Sequence, residues 1–266
     1  MRFSTIALIM LFVAAAATAD NQIPAPAKTG LPAIALIIDD LGNHWGQGKR
    51  AVKLPGPVAC AFLPHGPHTV SLARMAHSRD KEVMLHLPMQ AVASESGRRD
   101  EGMLTLDMTR SQFEEALSRD LAAVPYAVGL NNHKGSLLTR HPGHMGWLMG
   151  ALNRYGELFF VDSRTTSSSV ANTIAQEHGI PSTVRNVFLD HVSSPDAVRA
   201  EFRRLIGIAR RDGTALGIGH PSQVTLDVLT EELKTLEHEG VQLISVARLI
   251  ASQHRRSSVW QASLSR

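Results

Sequence analysis

The segment "AIALIIDDLG" (residues 33–42) decides the fold. Its first six residues, Ala33 to Ile38, are all apolar and are followed at once by Asp39, Asp40 and a glycine turn. A short, unbroken apolar run bounded by turn residues is how a strand covered on both faces reads, as in a parallel sheet. Two adjacent carboxylates repel each other, and a strand terminus needs neither. A cation, or a reaction that needs a base, is expected where this run ends.

The same pattern recurs along the chain at "VACAFLP", "EVMLHLP", "YAVGLNN", "LFFVD", "NVFLD", "ALGIG" and "VQLISV". Helical stretches lie between most of these runs. Thr109-Arg110-Ser111-Gln112 predicts a capping box that opens an amphipathic helix to Ala123. Ser194-Pro195 predicts an N-cap followed by proline in the first turn, with Val198, Phe202, Leu205, Ile206 and Ala209 on one face and Gly213 as the stop. Ser222 opens another helix carrying Leu226, Leu229, Leu233 and Leu236, stopped by Gly240. Strand and helix alternating in this way give an α/β fold: a parallel sheet of seven or eight strands with helices outside. A closed or nearly closed (β/α) barrel fits the length best; an open doubly wound sheet is the alternative.

The chain has 266 residues and opens with "MRFSTIALIMLFVAAAATAD". A basic start, an apolar stretch and Ala17-Thr18-Ala19 lay out a secretory signal peptide over residues 1–19, cleaved after Ala19. A membrane anchor is the rival reading, but the apolar stretch is shorter than the roughly 20 residues a span requires. Residues 20–32 read as a flexible leader, 33–251 as the barrel domain and 252–266 as a polar tail. The expected location is the periplasm or the medium, with no stable membrane span once the signal is gone. The lone Cys60 lies in the apolar run "VACAF" and reads as a buried side chain; with no disulfide to help, the domain must be held by its core. A net charge of only +3 with 5% aromatic residues argues against a nucleic-acid partner.

Thirteen histidines are many for this length, and their positions matter more than their number. Active sites of (β/α) barrels form at the carboxyl ends of the strands. The predicted strands end in Asp39 and Asp40; in His86; in Asn131, Asn132 and His133; in Asp162, Ser163 and Arg164; in Asp190 and His191; and in His220. Any one of these taken alone is an ordinary helix cap or surface residue, but the convergence of five or six strands on one rim is not. Asp and His are ligands for zinc and related divalent cations, so the set suits metal-assisted hydrolysis. One carboxylate of the pair would hold the ion while its neighbour takes a proton, and a histidine opposite would protonate the leaving group. The chain lacks H-E-x-x-H, C-x-x-C and G-x-S-x-G. "GNHWGQG" (42–48) fits neither a phosphate loop nor a dinucleotide fingerprint. Ser136 and Ser163 have no nucleophile-elbow context.

In order and spacing, "IIDDLG", "HLPMQ", "GLNNHKGS", "LFFVDSRTT", "RNVFLD" and "IGHP" resemble the divergent polysaccharide deacetylase family, the group often called YibQ-like, from about Ile34 to Leu249. The resemblance implies a distorted (β/α) barrel related to carbohydrate esterases that remove acetyl groups from polysaccharides. It implies that Asp39 is the general base, Asp40 a ligand of a divalent metal, zinc foremost, and His220 the leaving-group acid. The better-known relatives carry two histidine ligands four residues apart; His86 matches the first, whereas Gln90 stands at the second and His133 on the next strand is the replacement. Asn131, Asn132, Asp162, Arg164 and Asp190 are expected to orient these groups or to contact the sugar. Lys134 stands where the family's "NNHMGS" has methionine. The implied function is hydrolysis of acyl groups on an envelope or extracellular glycan. A catalytically weak glycan-binding or envelope-assembly protein on the same barrel is the alternative, favoured by Gln90.

Overall fold

The computed structural model describes residues 30–92 and 100–264, with side chains to residue 256. The signal peptide and most of the leader expected before residue 33 lie outside the described residues. In β1 (Ala33–Leu41), Ile34, Leu36 and Ile38 pack into one apolar cluster and Ala33, Ala35 and Ile37 into another. Period-two alternation thus gives the strand two buried faces, as its unbroken apolar sequence requires.

The other strands are β2 (Ala59–Phe62), β3 (Val83–Met89), β4 (Ala127–Lys134), β5 (Phe159–Asp162), β6 (Ser182–Val184), β7 (Val187–Phe188), β8 (Thr214–Gly219) and β9 (Gln242–Leu243). Their order is β6-β5-β4-β3-β2-β1-β8-β7, with β9 added beside β1, and every pairing is parallel. Among the described residues, seven helices cover one face only: α1 (Trp45–Val52), α2 (Thr69–His77), α3 (Arg110–Ala123), α4 (Pro142–Tyr155), α5 (Ala171–Glu177), α6 (Pro195–Asp212) and α7 (Gln223–Thr235). Each puts apolar side chains into the cluster that holds Ile34, Leu36 and Ile38. A doubly wound sheet would have helices on both faces. Here the second face is the inside of a barrel, filled by Met84, Val161, Leu216 and Ile218 and closed from below by Ile244, Val246, Leu249 and Ile250. Burying each of these larger side chains contributes about 1.5–3 kcal/mol.

The barrel is distorted because no ladder joins β6 to β7. The chain crosses that seam in two residues. Arg185 donates from its backbone N–H to Asp162 O at 3.0 Å, and Asn186 exchanges hydrogen bonds with the Leu216 backbone at 2.9 and 2.7 Å on the far side.

Local signals place the helices as expected. Thr109 and Gln112 form the capping box of α3; Ser194 caps α6, which Gly213 ends in the left-handed conformation; Ser222 caps α7. Two features go beyond the sequence reading. The three-residue β6 carries too short an apolar pattern to be read as a strand. The polar tail expected from residue 252 continues instead as α8 (Val246–Leu264). Its polar side chains have partners at the foot of the barrel. Gln253 Oε1 accepts from Thr183 Oγ1 at 2.9 Å, while Gln253 Nε2 and Arg256 donate to Thr214 Oγ1 at 3.2 and 2.6 Å. No helix among the described residues is long and apolar enough to cross a membrane.

Candidate active site

The barrel's inner face explains which polar residues meet. Along β1 the inward positions Ala33, Ala35 and Ile37 lead to Asp39, which is 3% exposed. Asp40 should then point outward, but its φ of 56° and a register shift against β2 between Ile38 and Leu41 turn it back to the mouth. In β3 the inward position after Met84 is His86. In register beside it, β4 presents Asn131 and then His133. Val161 is followed inward by Ser163, and Ile218 by His220. A cavity of about 410 Å³ opens over Asp39, Asp40, His86, His133 and His220.

Asn131 organises the centre. Its Nδ2 donates to both oxygens of Asp39, at 2.9 and 3.0 Å, and to Ser163 Oγ at 3.1 Å. Its Oδ1 therefore faces His86 Nδ1, at 3.0 Å, and can only accept. That fixes the proton of neutral His86 on Nδ1 and leaves a lone pair on Nε2. Nε2 lies 3.2 Å from Asp40 Oδ1 and 3.1 Å from His133 Nδ1, and His133 Nδ1 lies 3.0 Å from the same Asp40 oxygen. The other nitrogen of His133 faces Asp100 Oδ2 at 3.4 Å, so its Nδ1 also carries a lone pair. Asp40 Oδ1 is buried and accepts no hydrogen bond.

Three electron-pair donors thus point at one another with nothing positive between them. The arrangement asks for a proton or a metal ion. Ligands bound tetrahedrally at roughly 2.0–2.1 Å stand about 3.3 Å apart, close to the separations seen here. These three atoms form the metal-competent group among the described residues. The electrostatics agree. Burial opposes a charge on His86, but Asp39 and Asp40 outweigh it and raise its pKa. Burial likewise opposes ionisation of Asp40, yet the His133 and His86 imidazoles hold its carboxyl well below the usual range. Asp39 goes the other way: burial pushes its carboxyl up, against His86, His220 and Asn131.

On the opposite wall, His220 Nδ1 lies 3.0 Å from Asp190 Oδ1. Asp190 Oδ2 accepts from the His220 backbone N–H at 2.6 Å and from Thr225 Oγ1 at 2.7 Å. His220 Nε2 is left facing the mouth, 3.8 Å from Asp40 Oδ2. Burial disfavours the imidazolium, but Asp190, Asp39 and Asp40 overcome it and push the pKa to about 9. Asp190 is held low in return; burial would raise it, and the contacts from His220 prevail. The neighbouring His191 is exposed.

Asn132, which lines the cavity, and Asp162 both hold neighbouring loops. Asn132 uses its side chain on backbone groups, accepting from Ser163 N at 2.9 Å and donating to Lys134 O at 2.7 Å. Asp162 accepts from Arg164 N at 2.8 Å and from Ser169 Oγ at 2.7 Å, a loop brace behind the mouth. Arg164 lines the cavity, with a φ of 48°. Gln90 is spent elsewhere than on Asp40, His86 and His133: its Oε1 accepts from Leu106 N at 2.8 Å and its carbonyl from Leu137 and Leu138 N–H, so it anchors two loops. Sequence reasoning missed Arg185 and Asp100. Arg185 donates to Ser163 O at 2.6 Å and Arg164 O at 3.0 Å, packs its guanidinium over Phe188 and lines the cavity. Its signal was present, since an arginine opens "RNVFLD". Asp100 sits in a loop with no periodic pattern and gave none.

The family model for divergent polysaccharide deacetylases matches residues 36–250. An uncharacterized protein of Haemophilus influenzae is 35% identical over 216 residues, covering 81% of this chain and 76% of its own. The uncharacterized protein YibQ of Escherichia coli is 34% identical over 217 residues, covering 82% and 67% respectively. Among solved structures, an uncharacterized protein from Agrobacterium tumefaciens C58 shares the fold with a TM-score of 0.79 at 19% identity, over 85% of this chain and 92% of that one.

Proposed function

The chain belongs to the divergent polysaccharide deacetylase family, and from that premise we propose that it is an exported, metal-dependent hydrolase that removes acyl groups, acetyl foremost, from an envelope or extracellular glycan. The observation that carries this reading is the convergence of Asp40 Oδ1, His86 Nε2 and His133 Nδ1, with an orphaned carboxylate oxygen among them. Two imidazole nitrogens and one carboxylate oxygen suit zinc and leave a position open, as catalytic sites do. A divalent ion held there would acidify a bound water and polarise the acyl carbonyl.

The chain's own groups supply the proton transfers. Asp39 takes the proton from the attacking water. Burial raises its proton affinity, and Asn131 holds both its oxygens in place. Oxygen from water adds to the acyl carbon, the bond from that carbon to the glycan nitrogen or oxygen breaks, and acetate is released. His220, kept protonated at neutral pH by Asp190, gives its proton to the departing amine or hydroxyl. Asn131 and Asp190 orient, Arg164 and Arg185 line the mouth, and Asn132 and Asp162 brace the loops around it. Gln90 takes nothing from this donor set, because His133 completes it.

The test is metal analysis of the purified protein combined with acetate release from chitin oligomers and peptidoglycan. Stoichiometric metal with acetate release supports the reading. Glycan binding with neither would replace it with a non-catalytic binding role.

A further inference from the structure

We propose that the cavity wall beside the open seam is an anion subsite, and that the acylated sugar carries a carboxylate or phosphate group received by Arg164, Arg185 and the Ser163 hydroxyl. That this group belongs to a sugar undergoing deacylation rests on the hydrolase reading; that the wall takes an anion does not.

Ser163, Arg164, Arg185 and Phe188 line the same cavity as Asp39, Asp40, His86, His133 and His220. The first two follow β5, Arg185 lies in the crossing between β6 and β7, and Phe188 ends β7. Arg185 is half-buried and fixed in place. Its Nε donates to Ser163 O at 2.6 Å and its Nη2 to Arg164 O at 3.0 Å, and its guanidinium packs over Phe188, 5.1 Å from the ring centroid. Its other N–H groups have no acceptor among the described residues. Arg164 stands beside it, with its backbone in the left-handed region at φ 48°. Asp162 Oδ1 accepts from the Arg164 N–H at 2.8 Å and Arg185 binds its carbonyl, so the turn is held from both sides. The Arg164 guanidinium itself makes no hydrogen bond or ion pair among the described residues.

Two guanidiniums placed together repel. Burial, and then the Arg164 charge, push the pKa of Arg185 down; Asp39 and Asp162 oppose them, yet neither forms an ion pair with it. Elsewhere acids take up the arginines: Arg50, Arg110, Arg119, Arg154, Arg199 and Arg204 each meet a carboxylate. The acids near this wall are committed to other groups. Asp39 is held by Asn131, Asp162 by Arg164 N and Ser169, and Asp40 faces two imidazoles. A half-buried cation without a counter-ion is destabilising, and an anion on a ligand would offset it.

Ser163 adds a neutral donor. Its Oγ accepts from Asn131 Nδ2 at 3.1 Å, so its own hydrogen is left for another acceptor, and none is present among the described residues. Guanidinium forks pair with the oxygens of carboxylate and phosphate. A neutral hydroxyl in their place would leave both charges unmatched.

The experiment is calorimetric titration of the Asp39→Asn protein, so that no acetyl group is removed while binding is read. The probes are N-acetylglucosamine, N-acetylmuramic acid, which adds an ether-linked carboxylate to the same sugar, and N-acetylglucosamine 6-phosphate. At least one anionic sugar should bind about 10–100-fold more tightly than the neutral one, the gain expected from hydrogen bonds between charged groups. Which of them does so identifies the group. In the same background Arg164→Gln, at an exposed position, and Arg185→Lys, which keeps the charge but loses the fork, should each remove most of that preference, a ratio that a merely structural loss would not move. Equal affinity for the three sugars, or a preference that survives in both variants, overturns the subsite. Acetate release by the wild type without any such preference would discard the subsite and leave the reaction standing. A preference lost in both variants, in a protein without metal or acetate release, would keep the subsite and discard the reaction.

Discussion

Asn131 Nδ2 reaches both oxygens of Asp39 while its Oδ1 receives His86 Nδ1–H, so one amide sets the proposed base and the tautomer of a proposed ligand together. Asn131→Ala would leave a buried carboxylate without its donors and free His86 to rotate. The expected result is a stability loss of about 1–3 kcal/mol and metal affinity lower by about 10–100-fold. Denaturant titration and zinc competition measure the two effects separately. A variant that loses stability but keeps wild-type zinc affinity would show that the His86 tautomer is set elsewhere.

The two adjacent acids should separate by substitution. Asp39→Asn removes the proposed proton acceptor but none of the proposed ligands, so metal content should match that of the wild type while acetate release falls by about 10²–10⁴-fold. Asp40→Asn removes a proposed ligand, and both metal and turnover should be lost. Elemental analysis beside an acetate assay decides it; metal retained in full by Asp40→Asn refutes the assignment.

The alternation that separates these acids was only partly visible in the sequence. Eight apolar runs, the capping box at Thr109 and the stops at Gly213 and Gly240 placed the barrel because their causes are local. The inward positions of Asp39, His86, His133 and His220 followed from strand ends meeting at one rim. What could not be read depends on loop placement and backbone twist. Asp40 faces the mouth only because its φ is positive, and Gln90 is withdrawn from the ligands only because Leu106 N lies beside it. Asp162 reads like a site residue but is used by Arg164 N and Ser169. Arg185 matters because the barrel fails to close between β6 and β7, a seam that no residue pattern announces.

His220 should show its dependence on Asp190 in a pH profile. In the proposed mechanism the imidazolium is the active form, and it persists to about pH 9 because burial is outweighed by Asp190 and the two acids of β1. Activity should therefore hold into the alkaline range and fall as pH rises through that value. Asp190→Asn removes the closest negative charge, so the alkaline limb should move toward the ordinary imidazole value near 6.5. An unmoved limb would mean that another group donates the proton.

Asp120 gives a prediction about stability. Burial, opposed by His65, pushes its carboxyl up from 3.8 to about 7. The folded state therefore holds a proton that the unfolded state releases between about pH 4 and 7, and the wild type loses stability from this group as pH rises through that window. At about 1.4 kcal/mol per pH unit the loss reaches at most about 4 kcal/mol. Asp120→Asn keeps an acceptor for His65 and has no charge to bury. Its stability relative to wild type should climb from pH 4 to 7 and level off above it, read from denaturation midpoints across pH.

Asp100 Oδ2 accepts from Lys134 Nζ at 2.7 Å and faces His133 Nε2 at 3.4 Å. Lys134 clamps the carboxylate that backs a proposed ligand. A carboxylate on the far nitrogen fixes the tautomer of a metal-binding imidazole and raises its basicity. Asp100→Asn should therefore weaken zinc binding by about 10–100-fold. Lys134→Met should have a smaller effect in the same direction, because Asp100 remains but loses its tether. Measuring zinc affinity in the double variant tests whether the two act through one another: the double loss should match that of Asp100→Asn alone, whereas additive losses would show that Lys134 reaches the metal site by a separate route.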